Sequence, residues 1–484
     1  MTNEVRTRYA PSPTGYMHIG NLRSAIYEYL VAKINGGKFI LRIEDTDQVR
    51  KVEGAVEVIY NTLSTIGMQH DEGPDIGGQY GPYVQSERKD MYLPYAQQLI
   101  ESGDAYYCFC SKRRLDSLRK KAEENHEQFK YDRHCLHISE AEIQDKLDSG
   151  TNFVVRQKSP NHGTTTYHDE VYGDLTFGNE GLEDQILIKS DGFPTYNFAN
   201  VIDDHTMNIT HVVRGSEYLS STPKFVQLYK AFGWDVPVFV HLPLVVKNDG
   251  SKISKRNGDA MFGDMISEGY LPDAIVNYTV LLGWSPGDER EFFTLKDLEN
   301  DFTVKGISKS PSTLDYDKLK WMNGEYIRRL SLGEFSVIAA KWIKKGIGDR
   351  DLDIDKIAGM LQKRTEILSD IPLSIDFLDV IGQINDELYF HKKMKSDKDT
   401  AKELLPLVRT TLSALSEWNH DSIYNSLVET AQQQEVKNGK VMWPLRVALT
   451  GKPVTPGGAI EIADILGKAE TLNRIDSAIE QLEV

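Results

Sequence analysis

His18, Gly20 and Asn21 close a run punctuated by Pro and Gly, Arg8-Tyr9-Ala10-Pro11-Ser12-Pro13-Thr14-Gly15-Tyr16-Met17, where an apolar helical pattern begins. An imidazole, an amide and the unbonded N–H groups of a helix start are donors suited to phosphate oxygens, so this stretch is expected to cradle a nucleotide phosphate. Far downstream, Lys247-Asn248-Asp249-Gly250-Ser251-Lys252-Ile253-Ser254-Lys255-Arg256-Asn257-Gly258 gathers cations in a loop bounded by glycines. Alone, such a charge run reads as a solvated basic loop, the usual fate of clustered cations. A third constellation holds all three cysteines of the chain, as Cys108-Phe109-Cys110 and Cys135-Leu136-His137. Four soft or borderline ligands in two close pairs fit a closed tetrahedral zinc site of Cys108, Cys110, Cys135 and His137, with His126 and His134 as substitutes. The competing reading is three small buried thiols.

These residues need elements to hold them. Leu22, Ala25, Ile26, Tyr29 and Leu30 mark one helical face ending at Gly36-Gly37, which predicts a helix starting near Asn21. Phe39 to Ile43 reads as the next buried strand, completing a parallel βαβ unit in a doubly wound α/β sheet, where ligands sit at the carboxyl edge. Helices are expected over Val52–Gly67 and Asp90–Ser102, and strands at Phe153–Arg156, Leu175–Phe177 and Gln185–Ile188. His211-Val212-Val213-Arg214 is a strand that ends in a cation at the ligand edge. From Glu325 onward long helical periods replace strand runs, as in Phe335–Ile343, Ile357–Leu368 and Ala401–Leu415, so the last third is expected to be all α.

His18-Ile19-Gly20-Asn21 and Lys252-Ile253-Ser254-Lys255-Arg256 resemble the paired "HIGH" and "KMSKS" motifs of class I aminoacyl-tRNA synthetases. Five further stretches narrow the likeness to the bacterial-type glutamyl-tRNA synthetases: Arg42-Ile43-Glu44-Asp45-Thr46-Asp47, Ser190 to Tyr196, Asn200 to His205, Leu319 to Gly324, and Arg8 to Gly15. The fourth position of the first motif is Asn21, an uncharged donor where the namesake has a second His. The resemblance implies a Rossmann-type catalytic domain over 1–96 and 193–247, an acceptor-stem-binding insertion over 97–192, a stem-contact domain over 248–324 and a helical anticodon-binding region over 325–484. It implies ATP with Mg²⁺, L-glutamate and tRNA(Glu) as partners, a structural Zn²⁺, and a monomer. By the same likeness His18, Gly20, Asn21, Lys252, Ser254 and Lys255 hold ATP, and His18, Asn21, Lys252 and Lys255 carry the catalysis. Arg8, Ser12, Glu44, Tyr196, Asn200 and Arg214 would form the glutamate pocket, with guanidinium on carboxylate and Glu44 on the ammonium. Arg364 would read the third anticodon base; a surface ion pair with Glu366 or Asp370 is the competing reading.

The chain has 484 residues, 40% hydrophobic and 26% charged, an ordinary globular composition. No apolar run approaches the roughly 18 residues of a membrane span, and the first residues lack a secretory pattern, so a cytoplasmic protein without membrane contact is expected. A net charge of −16 makes any RNA contact local, with Lys112-Arg113-Arg114 and Arg119-Lys120-Lys121 as a candidate patch or a solvated helix face. Two readings compete with glutamate ligation: a glutaminyl-tRNA synthetase, which should avoid a free Arg against a neutral amide, and a non-catalytic nucleic-acid-binding protein on this scaffold.

Overall fold

The computed structural model describes residues 4–13, 15–47, 52–127, 129–251 and 261–483. The chain divides into two compact units, one of Met1–Met265 with Val276–Asp315 and one of Ile266–Ile275 with Tyr316–Val484.

The first unit begins with strand β1 (Arg6–Tyr9), helix α1 (Ile19–Ile34) and strand β2 (Lys38–Leu41). β1 and β2 are parallel, with Arg6 opposite Lys38 and Tyr9 opposite Leu41. Gly37 permits their approach: a Cβ there would stand 2.0 Å from the Val5 carbonyl oxygen. α1 starts two residues before the expected Asn21, because the His18 side chain caps it. It is buried on nearly every face, and the charged Arg23 and Glu28 are buried with it.

There follow α2 (Ala55–Thr65), α3 (Lys89–Glu101), β3 (Ala105–Cys108), α4 (Lys112–Glu124), α5 (Glu140–Asp148), β4 (Val154–Gln157), β5 (Thr164–Asp169), β6 (Gly173–Gly178), β7 (Ile186–Ile188), α6 (Tyr196–Thr206), β8 (His211–Gly215), α7 (Thr222–Ala231) and β9 (Val238–Leu242). β3, β4 and β7 form an antiparallel sheet. The hairpin β5–β6 does not join it. It extends the parallel pair β8–β9 into a sheet ordered β6-β5-β9-β8. The alternating burial of β5, with Thr165, Tyr167 and Asp169 inward, suits it to either sheet, so its sequence alone does not name the partner strand. Tyr92, Leu187, Phe198, Ile202 and Phe225 build the core between α3, α6 and α7. α4 buries none of its side chains, and its Arg119 and Lys120 pair with Asp116 and Glu124 on its own surface.

The second unit is helical, with the longest helices at Leu332–Ile347, Lys398–Ser413 and Lys468–Glu483. Ser331 and Glu334 form a reciprocal cap on the first of these, and Phe335, Ala339, Ile343 and Ile347 stack at four-residue spacing into the core. The helix expected to run to Leu368 ends at Leu361. Arg364 and Thr365 both donate their N–H to the Leu361 carbonyl, and Asn323 Nδ2 donates to the Glu366 carbonyl at 2.5 Å, which turns the chain out of the helix. Among the described residues, no helix is long and apolar enough to cross a membrane.

Candidate active site

His18 is the N-cap of α1. Its Nδ1 accepts from the backbone N–H of Gly20 at 3.1 Å and of Asn21 at 3.3 Å, so two donors expected to face a phosphate are engaged by the ring. Gly20 leaves room for this fold-back, since a Cβ there would lie 3.0 Å from the imidazole. Lys252, Ser254 and Lys255 lie outside the described residues. The residues that follow that stretch are tied to the first motif: Met261 pairs with His18 in an antiparallel bridge, and Phe262 N donates to Met17 O at 3.0 Å.

Beside the start of α1 lies a cavity of about 240 Å³. Arg8, Ser12, Asn21, Tyr196 and Arg214 line it, which brings together five of the expected site residues from β1, the following loop, α1, α6 and β8. Ser12 is exposed at this cavity, whereas Arg8 and Arg214 are buried. Glu44 and Asn200 are joined to each other, Asn200 Nδ2 donating to Glu44 Oε1 at 3.1 Å. Arg42 Nη2 donates to that same oxygen at 2.9 Å, while Glu44 Oε2 is buried without a partner. Burial pushes the Glu44 carboxyl up despite the Arg42 and Arg8 guanidiniums. A bound ammonium would satisfy Oε2 and hold the carboxylate ionised.

The cations below the cavity differ sharply in their partners. Asp204 Oδ1 accepts from Arg8 Nε at 2.9 Å and from Arg42 Nη1 at 2.7 Å. Asp203 Oδ1 accepts from Arg88 Nε at 2.7 Å. Burial opposes ionisation of Asp204, but the two guanidiniums prevail and hold its carboxyl below the usual range. Arg214 is 6% exposed and, among the described residues, forms no ion pair. It rests instead among the rings of Tyr218, Phe225 and Phe239 at 4.4–5.3 Å. Burial lowers its pKa with no carboxylate in contact to offset the loss of water. A buried guanidinium without an anion, opening on a cavity, has the charge and the planar donors that suit a carboxylate.

Glu28 also lines the cavity and was not expected there. Its Oε1 lies 3.5 Å from Arg8 Nη1 and its buried Oε2 has no partner. A carboxyl inside the run Ala25-Ile26-Tyr27-Glu28-Tyr29-Leu30 was the available signal, since an acid on a buried stripe needs a reason.

The cysteines converge as expected, His137 apart. The Sγ atoms of Cys108, Cys110 and Cys135 lie within 4.8 Å of one another. His137 is exposed and outside this group, as is His134. Tyr131 stands beside them, its Oη 3.3 Å from Cys108 Sγ and 3.3 Å from Cys110 Sγ. A hydrogen bond from the Cys135 thiol lowers the Cys108 pKa and raises that of Cys135, with Arg156 over the Tyr131 ring at 4.0 Å.

In the second unit, Arg364 lines two hollows of about 380 and 110 Å³. Its Nη1 donates to the Thr455 carbonyl at 3.1 Å, while Asp370 pairs with Lys320.

The catalytic domain of class I tRNA synthetases (E and Q) matches residues 4–321, and an anticodon binding domain matches residues 334–479. A glutamate–tRNA ligase of Clostridium tetani is 56% identical over 99% of this chain and 98% of its own length. One of Clostridium botulinum strain Eklund 17B is 55% identical over the whole of both chains. The crystal structure of a glutamate tRNA ligase from Elizabethkingia meningosepticum in complex with its amino acid superposes with a TM-score of 0.91, at 35% identity over 99% of this chain and 100% of that one.

Proposed function

The chain belongs to the class I glutamate–tRNA ligases, which join glutamate to tRNA at the expense of ATP, and from that premise we propose how its own residues divide the work. L-glutamate enters the cavity beside α1 with its side-chain carboxylate on Arg214 and its ammonium on the unpartnered Glu44 Oε2. Arg8, Ser12, Tyr196 and Asn200 complete that pocket. The α-carboxylate then attacks the α-phosphate of ATP, and glutamyl-adenylate and pyrophosphate form. The terminal adenosine of tRNA(Glu) takes the glutamyl group. The triphosphate lies along the start of α1, held by the His18 ring and the Asn21 side-chain amide, with Gly20 giving the ring its room and Lys252, Ser254 and Lys255 on the leaving pyrophosphate. Displacement at phosphorus asks for placement and charge neutralisation rather than a protein nucleophile. Mg²⁺, when bound with ATP, supplies part of that neutralisation.

Cys108, Cys110 and Cys135 would hold a structural zinc, for which a closed set of soft donors is the suitable chemistry. Tyr131 Oη, within 3.3 Å of two sulfurs, is the fourth donor in reach, in place of His137. We assign Arg364 and the hollows it lines to the anticodon, and the protein to the cytoplasm.

The observation that carries the glutamate reading is the contrast among arginines: among the described residues, Arg8, Arg42 and Arg88 are each paired with an acid, and Arg214 is not. Glutamine in the same place would leave that charge uncompensated. Arg214→Ala should therefore weaken glutamate use by about 2–5 kcal/mol in kcat/KM while the KM for ATP changes little. Pyrophosphate exchange with tRNA present measures both, and an unmoved KM for glutamate refutes the assignment.

A further inference from the structure

Among the described residues Arg214 has no acid in contact, so something else must aim it. Its Nε always carries a hydrogen and faces His241 Nε2 at 3.2 Å, which makes that ring nitrogen an acceptor. The ring hydrogen must then sit on Nδ1, which faces Asp169 Oδ2 at 2.6 Å. Thr222 Oγ1 is also 3.2 Å from His241 Nε2, but its hydrogen goes to the Tyr218 carbonyl at 2.8 Å. The Thr222 lone pairs are thereby left for Arg214 Nη2, which donates at 2.7 Å. Asp169 is itself fixed: Oδ1 accepts from the N–H groups of Val171 and Tyr172, and Oδ2 from the N–H of His241. Asp169, Thr222 and His241 are wholly buried. Every hydrogen in the chain Asp169–His241–Arg214–Thr222 thus has one direction.

We propose that His241 is a positioning residue for glutamate: with Asp169 behind it and Thr222 alongside, it holds the Arg214 guanidinium by Nε and Nη2 and turns the remaining hydrogens to the cavity. Two consequences follow from the geometry. Arg214 is kept in place by neutral acceptors, so its full charge stays available to a substrate carboxylate. A ring nitrogen bearing a hydrogen in place of its lone pair would confront Arg214 Nε with a second donor, and burial favours the neutral ring. Asp169 belongs to β5 and His241 to β9, so the hairpin that extends the catalytic sheet supplies the anchor for the pocket.

This inference rests on the reading of Arg214 as the partner of the glutamate side chain. The test uses the full-length enzyme with tRNA and pyrophosphate exchange, comparing H241N, H241Q and R214A. H241N places an amide nitrogen where Nδ1 was and keeps a donor for Asp169 but offers Arg214 nothing. H241Q places an amide oxygen where Nε2 was and keeps the acceptor. The expected result is a rise of about tenfold in the KM for glutamate in H241N, an ATP KM changed by less than about twofold, and recovery to within about threefold in H241Q. Discrimination against glutamine should fall in parallel in H241N. Equal impairment of the two variants, or a parallel rise of the KM for ATP, overturns the proposal. Should H241N not fold by circular dichroism, T222V removes the second acceptor, together with the hydroxyl's bond to the Tyr218 carbonyl, and should raise the glutamate KM alone; an unchanged value there overturns it as well. If R214A leaves the glutamate KM unmoved, the pocket reading has failed; if R214A moves it and H241N does not, only the positioning role has.

Discussion

Glu28 is an acid on a helix that buries nearly all of its surface, and burial holds its carboxyl well above the 4.5 it keeps in the unfolded chain. Below that pH both states carry the proton. Above it the unfolded chain releases the proton first, so stability falls as pH rises until the folded carboxyl ionises too, by up to ~1.4 kcal/mol per pH unit. Glu28→Gln keeps the shape of the protonated acid and does not titrate. Its stability relative to the parent should therefore grow between about pH 5 and pH 7 in urea melts; a constant difference means that Arg8 keeps Glu28 ionised in the folded state. Arg8, Glu44 and Arg214 were legible in the sequence because each sits in or beside a recognisable motif. Glu28 showed only as an acid on a buried stripe, and Asp169 and His241 did not show at all, because their partners lie far along the chain: His241 meets Asp169 across 72 positions.

At the scale of elements, β3 ends in Cys108, the following turn carries Cys110, and a single turn of 3-10 helix at His134–His137 presents Cys135. Spacing predicted the convergence of sulfurs. It could not choose the oxygen or nitrogen beside them, because the 3-10 turn leaves His137 exposed while Tyr131 is buried against the cysteines. Purified protein should contain about one zinc per chain, and Cys135→Ser should release it and lower the melting temperature. Tyr131→Phe should weaken retention against a chelator, and His137→Ala should not; the reverse order would return the fourth position to His137. The βαβ unit was similarly legible, from one apolar stripe between two buried runs, whereas the pairing of β5 with β9 was not. Alternation shows which face of a strand is buried, and only the assembled sheet shows against which neighbour.

For the whole molecule, a net charge of −16 makes tRNA selection a matter of a few local contacts. Arg364, released from its helix and braced on the Thr455 carbonyl, only donates hydrogen bonds. It suits the acceptors on the pairing edge of a third anticodon C and opposes the N–H donors of G. The enzyme should charge tRNA(Glu) well above tRNA(Gln), and Arg364→Gln should narrow the ratio by about tenfold. Comparable charging of both by the unmodified enzyme refutes this and leaves glutamylation untouched. Another property of the whole chain concerns its folding margin. One carboxylate, Asp204, serves both Arg8 and Arg42, and Arg42 also serves Glu44. Loss of any one member strands a buried charge at about 3–5 kcal/mol, a large part of the 5–15 kcal/mol that keeps a typical domain folded. The effects are coupled, so two losses do not simply add. A single substitution that leaves this set therefore uses up a large share of the folding margin, and a compensating change in a second member is expected to restore more than the two separate effects would suggest.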